Sequence, residues 1–115
     1  MNRKFIATPA FDRYWKGLGL GDEEQRGLEK MLLENPRAGV VIPGTAGARK
    51  VRIEFGGKGK RGGARVIYVD ILEHGNIFFL AAYAKGAQEN ISEADKKAIA
   101  NLIGLLKTEL AKKGR

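Results

Sequence analysis

Cysteine is absent from these 115 residues, histidine and tryptophan occur once each, and proline only three times. Without cysteine there are no disulfides and no thiolate metal sites, which suits a reducing compartment. The single histidine, His74, falls in Glu73-His74-Gly75-Asn76, where it reads as a solvated turn residue, so no Ser/His/Asp triad is expected. Acids are few as well, 13 against 21 lysines and arginines. Their one run, Asp22-Glu23-Glu24, is accounted for by the start of a helix, and nothing clusters as a two-metal nuclease requires. No apolar stretch approaches the ~18 residues of a membrane helix, and MNRKFIATPAF lacks the apolar core of a signal peptide. The expectation is a soluble cytoplasmic protein that uses neither cofactor nor metal.

What the chain does have is concentrated positive charge. Of a net +8, the segment Arg49–Arg65 supplies +6: Arg49, Lys50, Arg52, Lys58, Lys60, Arg61 and Arg65 against Glu54 alone. A local patch of this kind holds a polyanion, RNA being the best fit. Gly57-Lys58-Gly59-Lys60-Arg61-Gly62 formally matches G-x-G-x-x-G. It lies between two strand patterns and opens no helix, which removes the dinucleotide reading. Hydrophobic residues make up 43% with clear periodicity, which predicts a single folded domain over 1–115.

The periodicity orders the elements. Lys4–Ala7 is a short strand. Thr8 and Pro9 open a helix whose buried stripe is Phe11, Tyr14, Trp15 and Leu18. Gly17, Gly19 and Gly21 end it. Asp22 is the expected cap of a second helix, with Leu28, Met31 and Leu32 inward and Asn35-Pro36 as its stop. Residues 39–47 form a connector with a turn at Pro43-Gly44. Lys50–Phe55 alternates, with Val51, Ile53 and Phe55 on one face and Lys50, Arg52 and Glu54 on the other. After a glycine-rich basic loop come strands over Arg65–Leu72 and Ile77–Lys85, the latter the most apolar and expected to be the central strand of the sheet. Ser92 and Asp95 open a last helix with Ile99, Leu102, Ile103, Leu106 and Leu110 on its apolar side.

The remaining chemistry is basic and phenolic. Lys50 and Arg52 share a strand face, Arg65 starts the next strand, and Tyr83 and Lys85 share a face near the end of the following one. Tyr68 points to the side opposite Arg65. A surface joining Lys50, Arg52, Arg65, Tyr83 and Lys85 could cleave RNA without metal. Lys50 would take the proton of a ribose 2′-OH, Arg65 would stabilise the phosphorane, and Lys85 would assist the leaving oxygen. Arg49, Lys58, Lys60 and Arg61 are candidate RNA contacts, giving affinity that falls with salt. A basic patch that binds and does no chemistry remains an alternative, and Trp15 reads as helix packing.

The segments PGTAGARKVRIEFGGKGKRGGARVIYVDI and FFLAAYAKGAQENIS, in this element order, resemble the RelE/ParE superfamily of bacterial toxins, and most closely its HigB-like (host inhibition) RelE-type branch. The resemblance runs over nearly the whole chain. It implies an α+β fold of order β-α-α-β-β-β-α: a small, mainly antiparallel sheet with an N-terminal helical hairpin and a C-terminal helix. It further implies an mRNA endonuclease acting in the ribosomal A site. Such toxins are held by a cognate antitoxin, here of helix-turn-helix type, and reach DNA only through that complex. By position, Lys50, Arg52, Arg65 and Lys85 match the basic residues of the RelE pattern. Gly86 and Ser92 stand where that pattern has an arginine and a catalytic tyrosine, so the resemblance does not supply a general base. The ParE branch, whose members poison DNA gyrase, shares the fold and is the second reading.

Overall fold

The computed structural model describes residues 3–54, 63–84, 86 and 91–113. Its elements are β1 (Lys4–Ala7), α1 (Pro9–Gly17), α2 (Asp22–Glu34), β2 (Val40–Val41), β3 (Arg49–Ile53), β4 (Ala64–Ile71), a 3-10 turn (Leu72–His74), β5 (Asn76–Ala84) and α3 (Glu93–Lys113). The five strands lie in the order β1-β5-β4-β3-β2. Only the β1–β5 pair is parallel; the other three are antiparallel. The α+β architecture with a helical hairpin and a C-terminal helix is therefore as expected, with one added element. The connector contains β2, which pairs Val40 with Lys50 and Val41 with Arg49. Two residues give no periodicity to read, which is why the sequence shows only a loop there. β5 is interior, but β4 holds the middle position.

Each end of α1 follows from named residues. The Thr8 hydroxyl accepts from the Phe11 N–H (3.2 Å) and donates to the Phe79 carbonyl (2.9 Å), so one side chain closes β1 and caps the helix. Trp15 Nε1 donates to the Gly21 carbonyl (3.0 Å) and fastens the turn into α2. The cap of α2 is Gly21, not Asp22. Glu24 reaches back to accept the Gly21 N–H (2.8 Å), which leaves Asp22 as the first helical residue, beside the positive end of the helix dipole. Ser92 accepts from the Asp95 N–H (3.1 Å) at the start of α3, as its spacing implies.

The sheet is covered on both faces. Phe11, Trp15, Leu28 and Leu32 of the helical hairpin pack on Val51, Ile53, Val66, Tyr68, Ile77 and Phe79. Phe11 stacks between Trp15 (5.1 Å) and Phe79 (5.0 Å). The α3 side chains Ile99, Leu102, Ile103, Leu106 and Leu110 cover Ile67, Val69, Ile71, Phe78 and Leu80 on the other face.

Two local devices matter for the site. Thr45 is fully buried; its hydroxyl donates to the Ile42 carbonyl (2.6 Å) and accepts from the Ala48 N–H (3.1 Å), stapling the Pro43–Gly47 turn that delivers the chain into β3. In the β4–β5 ladder Ile67 faces Ala81 while Tyr68 faces Phe79, so Leu80 is an extra residue, a β-bulge. Without it, Tyr83 would share the face of Ile77 and Phe79 under the helical hairpin. With it, Tyr83 turns to the α3 face.

Candidate nucleic-acid site

The register places three of the candidate residues in one row. Arg52 lies opposite Arg65 across β3 and β4, and Arg65 lies opposite Tyr83 across β4 and β5. Directly opposed side chains stand on one face with Cβ atoms about 5 Å apart, so the row is two strand spacings wide. One step along β3, Lys50 faces Ile67, on the same side of the sheet. Arg52 is exposed, and Lys50 and Arg65 are partly buried. Lys50, Arg52, Arg65 and Tyr83 thus share the α3 face, beside the end of the sheet from which 55–62 departs.

Opposed like charges weaken a sheet, so the Arg52–Arg65 pair needs a reason. Arg65 Nη1 is cut off from solvent and has no hydrogen-bond partner among the described residues. The Tyr83 hydroxyl oxygen is likewise shielded from solvent. A guanidinium N–H with neither water nor partner is costly on its own. An anion over the row would supply the missing acceptor and relieve the repulsion between the arginines.

Gly63 lets the chain enter β4 here. Its φ of +63° lies in the left-handed region, and a Cβ would run into the Ile53 carbonyl. Lys85, Lys58, Lys60 and Arg61 lie outside the described residues.

Arg49 is placed differently from its sequence neighbours. It faces Tyr68 in the ladder and projects to the opposite side of the sheet, where its Nη1 donates to the Gly39 carbonyl (2.8 Å). There it joins two arginines that sequence reasoning passed over. Arg3 Nη1 makes a 2.7 Å ion pair with Asp70 Oδ1, both side chains largely covered (7% and 17% exposed), and Arg37 borders the same cavity of about 370 Å³. Burial pushes the Asp70 carboxyl above its usual range, against the pull of Arg3, then Arg49 and Arg37. Tyr68 closes this region. Its hydroxyl donates to the Pro36 carbonyl (2.7 Å) and accepts from the Gly39 N–H (3.0 Å). Burial raises its pKa despite the Gly39 bond and the Arg49 charge. Gly39 is required by close approach, since a Cβ would stand 2.9 Å from the Lys50 carbonyl oxygen and the Tyr68 ring.

The family model for the RelE toxin of the RelE/RelB toxin–antitoxin system matches residues 6–113. The chain belongs to the RelE toxin family. Among solved structures it is similar to a double-mutant form of the Escherichia coli toxin RelE in the free state, with a TM-score of 0.51 and 22% identity, over 77% of this chain and 90% of that one. At that identity the likeness carries the fold, and the RelE fold is what the sheet order and the three helices build. Membership makes this the toxin of a toxin–antitoxin pair, with an antitoxin as partner. Among the described residues no helix is long and apolar enough to cross a membrane.

Proposed function

We propose that this RelE-family toxin is a ribosome-dependent mRNA endonuclease that inhibits translation in the cytoplasm and cleaves by attack of a ribose 2′-oxygen on the adjacent phosphorus. The observation that carries the reading is the row Arg52–Arg65–Tyr83 with an unsatisfied Arg65 N–H. Only RNA brings its own nucleophile, so the protein needs to supply proton transfer and charge stabilisation and nothing else.

Each step has a candidate group. Lys50 is assigned to accept the proton of the 2′-OH. The 2′-oxygen bonds to phosphorus while the bond from phosphorus to the 5′-oxygen breaks, leaving a 2′,3′-cyclic phosphate and a 5′-hydroxyl. Arg65, with Arg52 beside it, stabilises the negative charge on the phosphorane oxygens. Tyr83, aimed at the row by the bulge, offers a phenol to the same centre, and Lys85 is assigned to the leaving oxygen. No metal is assigned a role. Lys58, Lys60 and Arg61 are proposed as RNA contacts away from the scissile phosphate; Arg49, held by the Gly39 carbonyl on the opposite face, is given no RNA contact. The HigB-like placement and a helix-turn-helix antitoxin, through which alone the toxin would reach DNA, rest on the PGT-x-G-x-RK-x-R and AYAK segments.

The test is primer extension on a defined mRNA incubated with purified protein, with and without translating ribosomes. Cuts that require ribosomes and vanish in Arg65→Ala support the reading. Intact mRNA in both reactions, with the protein still toxic in cells, would move the function to gyrase poisoning.

A further inference from the structure

A second lysine, from α3, borders the ground next to the proposed centre. Lys96 and Lys50 line one hollow of about 220 Å³, together with Val40, Pro43 and Ile91. The Lys96 stem lies over the Pro43–Gly44 turn, its Cδ 3.8 Å from where a Cβ on Gly44 would sit. Its ammonium pairs with Glu93 at 3.2 Å, but Glu93 is 91% exposed and Lys96 only 25%. A carboxylate so far in water contributes little, and no described residue pairs with the Lys50 side chain.

Two local electrostatic effects disfavour this arrangement in the free protein, against the exposed pair with Glu93. Two lysine amino groups border one small hollow. Lys96 is the fourth residue of α3, close to the positive end of the helix dipole, where a cation is unfavourable. An anion in the hollow reverses the sign of each effect. The rim is apolar and uncovered, with Val40 72% and Val41 46% exposed.

We propose that this hollow binds one phosphodiester of the RNA substrate at Lys96, on the far side of the hollow from the Lys50 base, with the attached sugar against Val40 and Pro43. The inference rests on the endonuclease reading and extends it. At about 220 Å³ the hollow is smaller than the roughly 300 Å³ at which ordinary small-molecule sites begin, and suits a single phosphate–sugar unit. Lys50 and Arg52 are about 7 Å apart along β3, close to one nucleotide step. A strand whose scissile phosphate lies over Arg52 and Arg65 therefore sets its neighbouring phosphate at the hollow. Lys96 would be a binding residue for that phosphate, one step removed from the reacting atoms.

The test uses Lys96→Met, which keeps the stem over the turn and removes the charge, and Lys96→Arg, which restores it. Cleavage in mRNA-programmed ribosomes is measured against toxin concentration at several salt concentrations. Expected for Lys96→Met is a half-saturating concentration raised roughly tenfold, as for loss of one charged hydrogen bond. Its dependence on log salt should be shallower by about 0.7, with maximal rate and melting temperature kept and Lys96→Arg near wild type. Unchanged half-saturation and salt slope in Lys96→Met, while Arg65→Ala abolishes cleavage, would overturn the hollow and leave the endonuclease reading standing. If the wild type cuts nothing, the endonuclease reading fails by itself. The same variants titrated with labelled single-stranded RNA then decide the hollow, an unchanged affinity overturning it.

Discussion

Two groups of cations sit on one sheet and have been treated in opposite ways. At the end where β4 finishes, Arg3 is paired with Asp70, Arg49 is bonded to the Gly39 carbonyl, and Tyr68 ties the loop carbonyls and amides together. At the other end and on the other face, Arg52 is set against Arg65, Arg65 keeps a buried N–H with no described partner, and Lys50 has no counter-charge among the described residues. The first group is satisfied within the fold and holds β1, the α2–β2 loop and β3 in place. The second is held by the fold yet left unsatisfied. Adjacent residues of β3, Arg49 and Lys50, belong to different groups only because a strand alternates. Charge density in a sequence therefore counts cations without saying which are already spent.

If that contrast is right, mutations at the two ends fail differently. The largest effect is on catalysis. Arg65→Ala should lower cleavage about 100- to 1000-fold, the range for removing one donor to a developing oxyanion, while thermal unfolding stays within about 1 kcal/mol of wild type. Next comes stability at the satisfied end. Arg3→Met leaves the Asp70 carboxylate largely buried without its partner and should destabilise by about 2–4 kcal/mol in chemical denaturation, with cleavage per folded molecule retained. Tyr68→Phe removes two buried hydrogen bonds and should cost about 1.5–3 kcal/mol, again without lowering the cleavage rate of the folded fraction. Thr45→Val breaks the staple ahead of β3 and should cost about 1–2 kcal/mol.

The smallest effect is in the pH dependence. The Asp70 carboxyl is raised by burial, so the folded state holds that proton to higher pH than the unfolded chain does. The contribution of this proton to stability is full below the unfolded carboxyl's range and is lost as pH rises through the folded value. Wild-type stability relative to Asp70→Asn should therefore decline through that acidic window and then level off. A rise over the same window would mean that the Arg3 pair, not desolvation, governs Asp70.

Much of this was legible in the sequence, and the limits have physical causes. Capping by Thr8 and Ser92, the stop at Asn35, the alternation of Val51 and Ile53, and the apolar face of α3 are local signals that short-range chemistry dictates. The cations of β3 and the start of β4 were visible by charge and period. The partners of Arg49 were not, because Arg3, Arg37 and Asp70 meet it through contacts between residues distant in sequence. Nor was the bulge at Leu80. The run Phe78-Phe79-Leu80-Ala81-Ala82 is apolar on both faces, so it carries no alternation by which a slip of one residue could be noticed. Yet that slip decides whether Tyr83 faces Arg65 or the helical hairpin. Lys96 was passed over because a lysine early in a helix reads as ordinary solvated charge until Lys50 and the Pro43 turn are seen beside it.

The most direct test puts both ends through the same pair of assays: cleavage of mRNA on programmed ribosomes and the free energy of unfolding, for wild type, Arg65→Ala and Arg3→Met. The account predicts a crossed result, Arg65→Ala stable and inactive, Arg3→Met destabilised and, where folded, active. Cleavage by Arg65→Ala at the wild-type rate would contradict the claim that the Arg52–Arg65 pair lies at the catalytic centre.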